Sequence, residues 1–240
     1  MLRFHRLEVV RRLPHPGRGF TQGLIVTGDT VWESTGLYGE SALLQYRLGD
    51  PRPAAAAPLP PELFGESICR AGTELWQLTY QEKVALRWDP QSLTPLGTVP
   101  YNREGWGICA AGGQLVTSDG TSELILRDPR SLQPHGLIAV RCAGRRVTLL
   151  NDLAWAAGRI WANIAGRACL AGIDPDTGEV TDIVDARAIR ERHRDPQAIL
   201  NGITALPGAG EFLLTGKYWR RLYHVRLAPG RHQHPEWLLG

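Results

Sequence analysis

Apolar residues along this chain fall in short runs separated by Gly, Pro and polar residues, and within the runs they tend to alternate with polar positions. That spacing has the period of strands and predicts an all-β chain. One arrangement of runs recurs five times. A polar or aromatic residue, a small one and an aliphatic one lead into a Gly-containing turn and a second apolar run that ends in polar residues. The copies open with Phe20-Thr21-Gln22-Gly23-Leu24, Phe64-Gly65-Glu66-Ser67-Ile68, Glu104-Gly105-Trp106-Gly107-Ile108, Leu150-Asn151-Asp152-Leu153 and Leu200-Asn201-Gly202-Ile203. Aligned on the aliphatic residue they lie at 24, 68, 108, 153 and 203, a period near 45 that marks a repeat architecture.

Each copy continues into a third run and, except in the last, a fourth, with the turns Asp89-Pro90, Asp128-Pro129 and Asp174-Pro175 between them in three copies. In such turns Asp supplies a side-chain acceptor and Pro fixes φ. Four short β runs per period predict a five-bladed β-propeller with four-stranded antiparallel blades, a single domain over residues 1–240. The last copy has only three runs before Pro229-Gly230, while residues 7–13 offer an unpaired run ahead of the first copy. Pairing the two is expected to close the ring and remove two exposed edges. Residues 185–195, inserted before the fifth copy, are the best helix candidate and are expected to lie across one face of the ring.

Repetition turns equivalent positions into rings about the axis. The position two before the aligned aliphatic holds Gln22, Glu66, Trp106, Asn151 and Asn201. Burying polar groups without partners costs roughly 1–3 kcal/mol apiece, so four of them converging with a Trp point to a wet, shaped pocket. For each residue singly, a role in satisfying loop amides or channel water stays open. The ends of the second runs add Glu33, Gln77, Thr79, Asn163 and Lys217 to the same region.

Composition narrows the picture. The net charge of +3 comes from basic residues spread along the chain, which gives no nucleic-acid footprint, and the local cluster at 141–146 reads as a solvated hairpin. Of eight Trp, Trp32, Trp76 and Trp161 share one repeat position and are expected to pack between blades. The four Cys form no C-x-x-C, so no structural zinc is expected; a Cys109–Cys169 disulfide and free buried thiols both stay open. No stretch approaches the ~18 apolar residues of a membrane span. Residues 1–10 alternate and carry basic side chains, so they read as a strand and not a signal peptide. His5, His15, His135, His193, His224, His232 and His234 all lie off the axial positions, and most are expected at the surface or in loops.

These stretches together resemble the plant and bacterial type of glutaminyl cyclase (glutaminyl-peptide cyclotransferase). The resemblance is carried by F-T-Q-G-L (20–24), E-S-T-G-L-Y-G (33–39), F-G-E (64–66), Q-L-T (77–79), E-G-W-G (104–107), S-D-G-T (118–121), L-N-D-L (150–153), W-A-N (161–163), L-N-G-I (200–203) and T-G-K-Y-W (215–219). They run in the family's order over most of the chain. The resemblance implies a five-bladed propeller that converts an N-terminal Gln of a peptide or protein to pyroglutamate and releases ammonia, with no metal and no other cofactor. Glu66 takes the place of the catalytic acid/base. Phe20, Gln22, Phe64, Trp106, Asn151 and Lys217 fall on pocket positions, with Lys217 a candidate to stabilise the developing oxyanion. Asn201 of the axial ring and Tyr80, which replaces a family Trp, complete the expected substrate contacts. Asp152 stands where the family has Glu, and Ala165 where a pocket Trp is expected, which removes one indole wall. The family implies a secreted or periplasmic monomer; the strand-like N-terminus leaves the cytoplasm open.

Two other classes stay in view. A non-catalytic propeller would bind peptide N-termini through the same pocket, a reading favoured by Ala165 and Asp152. A metal-assisted propeller hydrolase would need several axial carboxylates around a hard cation, and the axial ring offers Glu66 with Asp152 only beside it.

Overall fold

The computed structural model describes residues 2–16 and 19–231; His232 and His234 lie outside the described residues. After β1 (Arg3–Pro14) the chain forms three four-stranded antiparallel sheets in succession. The first contains β2 (Thr21–Thr27), β3 (Thr30–Thr35), β4 (Ala42–Arg47) and β5 (Ala55–Pro58); the second β6 (Gly65–Ala71), β7 (Glu74–Thr79), β8 (Val84–Trp88) and β9 (Pro95–Pro100). The third contains β10 (Gly107–Ala111), β11 (Gln114–Ser118), β12 (Glu123–Arg127) and β13 (Pro134–Ala139). A small hairpin of β14 (Arg141–Cys142) and β15 (Arg145–Arg146) follows, its arginines exposed.

The remaining strands are β16 (Leu150–Ala156), β17 (Arg159–Ile164), β18 (Cys169–Ile173), β19 (Val180–Asp185), β20 (Leu200–Ala205), β21 (Glu211–Gly216) and β22 (Arg221–Pro229). Through β1 they join into one eight-stranded sheet in the order β16-β17-β18-β19-β1-β22-β21-β20. β1 runs antiparallel to β22, with Leu7 opposite Leu227 and Leu13 opposite Leu222, and parallel to β19 from Arg3 opposite Asp182 to Arg6 opposite Asp185. The parallel half of this splice was not legible in the run pattern. The opening strands of the five repeats pack in a cycle: β2 on β6, β6 on β10, β10 on β16, β16 on β20 and β20 back on β2.

Apolar side chains fill the spaces between neighbouring sheets. Trp32 is buried with Ile68, Leu75 and Trp88 of the next sheet and donates its indole N–H to the Pro90 carbonyl at 3.0 Å. Trp76 packs with Ile108 and Leu115, and Trp161 meets the edge of Phe212 with centroids 5.2 Å apart. The Asp-Pro turns close as their chemistry demands: one carboxylate oxygen of Asp89 accepts from the backbone N–H groups of Gln91 and Ser92, and Asp128 and Asp174 repeat the pattern.

One expectation needs correction. Residues 185–195 form no α-helix: a single 3₁₀ turn at Arg187–Ile189 is followed by irregular chain, because among these residues only Ala186 and Ile189 bury apolar side chains and the charges find no helical face to share. Of the two readings left open for the cysteines, free thiols are what the structure has: all four are free and buried, Cys69 in one apolar cluster and Cys109, Cys142 and Cys169 in another. His15 is not a surface residue.

His15 is 5% exposed; its Nε2 lies 2.9 Å from Glu33 Oε2 and its Nδ1 2.7 Å from the Trp219 carbonyl, while Thr21 and Tyr46 hydroxyls also donate to the Glu33 carboxylate. Burial works against the imidazolium, but the Glu33 charge and hydrogen bond and the Trp219 carbonyl outweigh it, so the His15 pKa is raised; burial likewise works against Glu33, and His15, Thr21 and Tyr46 bring it down. The His15 contribution is therefore complete below its unfolded value near 6.5 and fades as pH rises through the higher folded value. The Glu33 contribution is complete above its unfolded value near 4.5 and fades as pH falls through the lower folded one. The gap in Tm between wild type and His15→Gln is expected to be widest between about pH 4.5 and 6.5. A gap that stays constant from pH 5 to 9 by differential scanning fluorimetry would show the imidazole to be neutral throughout.

Candidate active site

In four of the five inner strands the antiparallel register slips where the axial residue sits: between Thr21 and Gly23, Gly65 and Ile68, Leu150 and Leu153, and Leu200 and Ile203. A bulge leaves a residue unpaired and re-aims the side chains beside it. These bulges carry Gln22, Glu66, Asn151 and Asn201. β10 keeps an unbroken register, and its axial residue, Trp106, immediately precedes the strand.

The result is a cavity of about 300 Å³ at one end of the inner strands. Phe20, Phe64, Tyr80 and Trp106 form its aromatic wall, and Gln22, Glu66, Asn151 and Lys217 are its polar groups. The rings meet edge-on or tilted, Phe64 lying 6.0 Å from Phe20 and 5.7 Å from Tyr80, centroid to centroid. Gly36 is needed for this wall, since a Cβ there would stand 2.4 Å from the Phe64 ring. The Trp106 indole N–H donates to Glu104 at 3.2 Å, and Glu82 accepts from the Tyr38 hydroxyl at 2.7 Å and from the Phe64 backbone N–H.

Glu66 lies on the floor, 5% exposed. Its Oε1 accepts from Gln22 Nε2 at 2.9 Å; Gln22 Oε1 in turn accepts from Asn201 Nδ2 at 2.9 Å, and the same Nδ2 donates to the Thr21 carbonyl at 3.0 Å. Burial pushes the Glu66 carboxyl well above the ordinary range; Lys217 opposes the shift, while Asp152, Glu82 and Glu104 add to it. Burial lowers the Lys217 pKa against the pull of Glu66, and the ammonium rests over the Phe20 ring, 4.1 Å from its centroid. Asn151 Oδ1 is buried with no partner among the described residues, an acceptor left free at the cavity wall. The site thus combines a buried carboxyl that ionises less readily than usual, a cation and a free amide acceptor inside an apolar clasp.

Several expected positions are used otherwise. Asn201 is fully buried behind Gln22 and does not line the cavity. Glu33 is consumed by the His15 cluster, and Gln77 bridges Ser34 and the Trp88 indole between two sheets. Thr79 bonds the Val84 carbonyl, and Asn163 is buried away from the cavity. The cavity also takes in Leu37, Ala165 and Gln197. Leu37 adopts φ 89°, a left-handed conformation that is strained for a branched side chain and that no propensity suggests. Gln197 belongs to the irregular segment outside the repeat, so no symmetry argument reaches it. No group of three or more His, Cys, Asp or Glu among the described residues could hold a metal ion.

Comparison with known proteins converges on one family. The family model described as glutamine cyclotransferase matches residues 2–227. A glutaminyl-peptide cyclotransferase of Arabidopsis thaliana is 32% identical over 232 residues, covering 94% of this chain and 72% of the relative. The crystal structure of Myxococcus xanthus glutaminyl cyclase matches with a TM-score of 0.89 at 34% identity, covering 96% of this chain and all of that one. By its match to the family model over residues 2–227 and its likeness to these relatives, the chain belongs to the glutamine cyclotransferase family.

Proposed function

We propose that the protein is a glutaminyl-peptide cyclotransferase, an acyl-transfer enzyme that closes an N-terminal Gln of a peptide or protein to pyroglutamate and releases ammonia without a metal. The scaffold is read as one five-bladed propeller of four-stranded blades, closed by β1; the cycle of five inner strands supports this. Family resemblance alone extends the reading to a secreted or periplasmic monomer. The observation that carries the chemistry is Glu66, a buried carboxyl hydrogen-bonded by an oriented amide beneath an aromatic-walled cavity.

Three tasks follow from the reaction. The free α-amine must reach the side-chain amide carbon of its own residue, so the Gln stem has to fold back; Phe20, Phe64 and Trp106 clasp it, and holding that geometry is proximity catalysis. As the C–N bond forms, the amine gives a proton to Glu66, and as the amide C–N bond breaks, Glu66 returns it to the departing nitrogen, which leaves as ammonia. The raised Glu66 pKa suits both steps, since the amine itself ionises near 7.7–8.0 when free. Lys217 and the Gln22 amide are placed to offset negative charge on the amide oxygen in the tetrahedral intermediate, and Asn151 Oδ1 can accept from the substrate's N–H groups. Ala165, in place of an indole, leaves the fourth-repeat side of the cavity open.

A short peptide with N-terminal Gln, incubated with the protein and a chelator, is expected to yield ammonia equimolar with pyroglutamyl peptide. Binding without ammonia release would instead support a non-catalytic receptor for peptide N-termini; release that the chelator stops would bring back a metal.

A further inference from the structure

One residue beyond the pocket, the five inner chains carry Gly23, Ser67, Gly107, Asp152 and Gly202. The glycines let the strands close in: a Cβ on Gly23 would meet the Ser67 Cα at 2.6 Å, and one on Gly107 the Asn151 carbonyl oxygen at 2.0 Å. The one carboxylate at this level, Asp152, is 1% exposed and takes part in no ion pair among the described residues. Its Oδ1 accepts from the Ser67 hydroxyl at 2.5 Å and its Oδ2 from the Ile203 backbone N–H at 2.8 Å, and the N–H groups of Leu153 and Leu24 face it as well. Ser67 Oγ also accepts from the Ile108 N–H at 3.2 Å. Donors from β2, β6, β16 and β20 therefore meet on one carboxylate, and β10 joins through Ser67.

Ser67 is the residue next to Glu66 in the same bulge. Resting on the cyclotransferase reading, we infer that Asp152 is a positioning residue of the centre: it ties the bulge that carries Glu66 to the other four inner strands, and its unpaired charge governs how readily Glu66 gives up a proton. The ionisable groups around the pair enter this balance, the Tyr38 and Tyr80 phenols, raised in part by the Glu66 charge, among them. Lys217 favours ionised Glu66; Asp152, Glu82 and Glu104 disfavour it. Burial holds Asp152 itself at about 7 against the hydrogen bonds from Ser67, Ile203, Leu153 and Leu24. The Cys69 and Cys109 thiols, which feel the Asp152 charge, stay protonated. Two carboxyls that resist each other's ionisation titrate as a coupled system.

Asp152→Asn is nearly isosteric: its amide can donate to Ser67 Oγ and accept from the Ile203 N–H. With the neighbouring charge gone, the acid limb of the kcat/KM–pH profile for a Gln-peptide is expected to move down by about one pH unit or more, whereas Asp152→Glu, which keeps the charge, leaves the limb in place. Superimposable limbs for wild type and Asp152→Asn, whatever their heights, overturn the proposal; a merely structural Asp152 would change height and Tm alone. A second arm needs no activity. Followed by carboxyl ¹³C NMR, Glu66 itself is expected to titrate lower in Asp152→Asn than in wild type, since the neighbouring charge that disfavours its ionisation is gone; an unmoved Glu66 overturns the coupling. Absence of ammonia release from wild type, with the ¹³C shift present, would reject the cyclotransferase reading and keep the coupled pair.

Discussion

Replacing Glu66 by Gln is expected to lower the rate of ammonia release by about 10²–10⁴-fold, the range of a single acid/base group, with Tm at or above the wild-type value. The substitution keeps the side chain's shape and leaves Gln22 Nε2 an oxygen to donate to, so the floor of the cavity persists. What disappears is the only carboxyl on the cavity surface among the described residues. Stability does not suffer, because burial works against ionised Glu66 and a neutral amide removes that strain. Initial rates of ammonia release beside a thermal melt make the test; a rate within tenfold of wild type would move the base to another group.

Removing residues 1–13 is expected to abolish cooperative folding. β1 is paired along both sides, so its loss bares the facing edges of β19 and β22 at once. Leu7 and Leu13 leave two apolar clusters, and Asp182 loses Arg3 and His5. That buried carboxyl, held at about 2 against the cost of burial, would keep only Arg159 and Thr181 as side-chain partners. Size-exclusion chromatography should find aggregate; a soluble, monodisperse truncation with one sharp melting transition would mean the ring closes without β1.

The sequence made the repeat visible because alternation and Gly/Pro punctuation are local signals, present in each copy. The axial set Gln22, Glu66, Trp106 and Asn151 was legible for the same reason, since equivalent positions are brought round one axis. Bulges are different: nothing in Gly65-Glu66-Ser67-Ile68 announces that the register slips, yet the slip is what lets Glu66 face the cavity while Ser67 reaches Asp152. The β1–β19 pairing and the His15–Glu33 contact join segments whose chemistry gives no mutual hint. Residues 185–195 misled because a run of good helix formers with no apolar stripe has nothing to pack, and tertiary context outweighs propensity.

The hydrogen bonds behind the pocket have a stereochemical consequence for the carboxyl they end on. A backbone carbonyl is an acceptor only, so the Thr21 carbonyl dictates that Asn201 turns its nitrogen inward. That nitrogen faces Gln22 Oε1, which sends Gln22 Nε2, a donor, to Glu66 Oε1. Oε1 is thereby kept as an acceptor in both protonation states, and any proton carried by Glu66 rides on Oε2. A peptide oxygen outside the cavity thus selects which of two chemically equal oxygens is open to a proton, and gives the carboxyl a handedness that its own bonds lack.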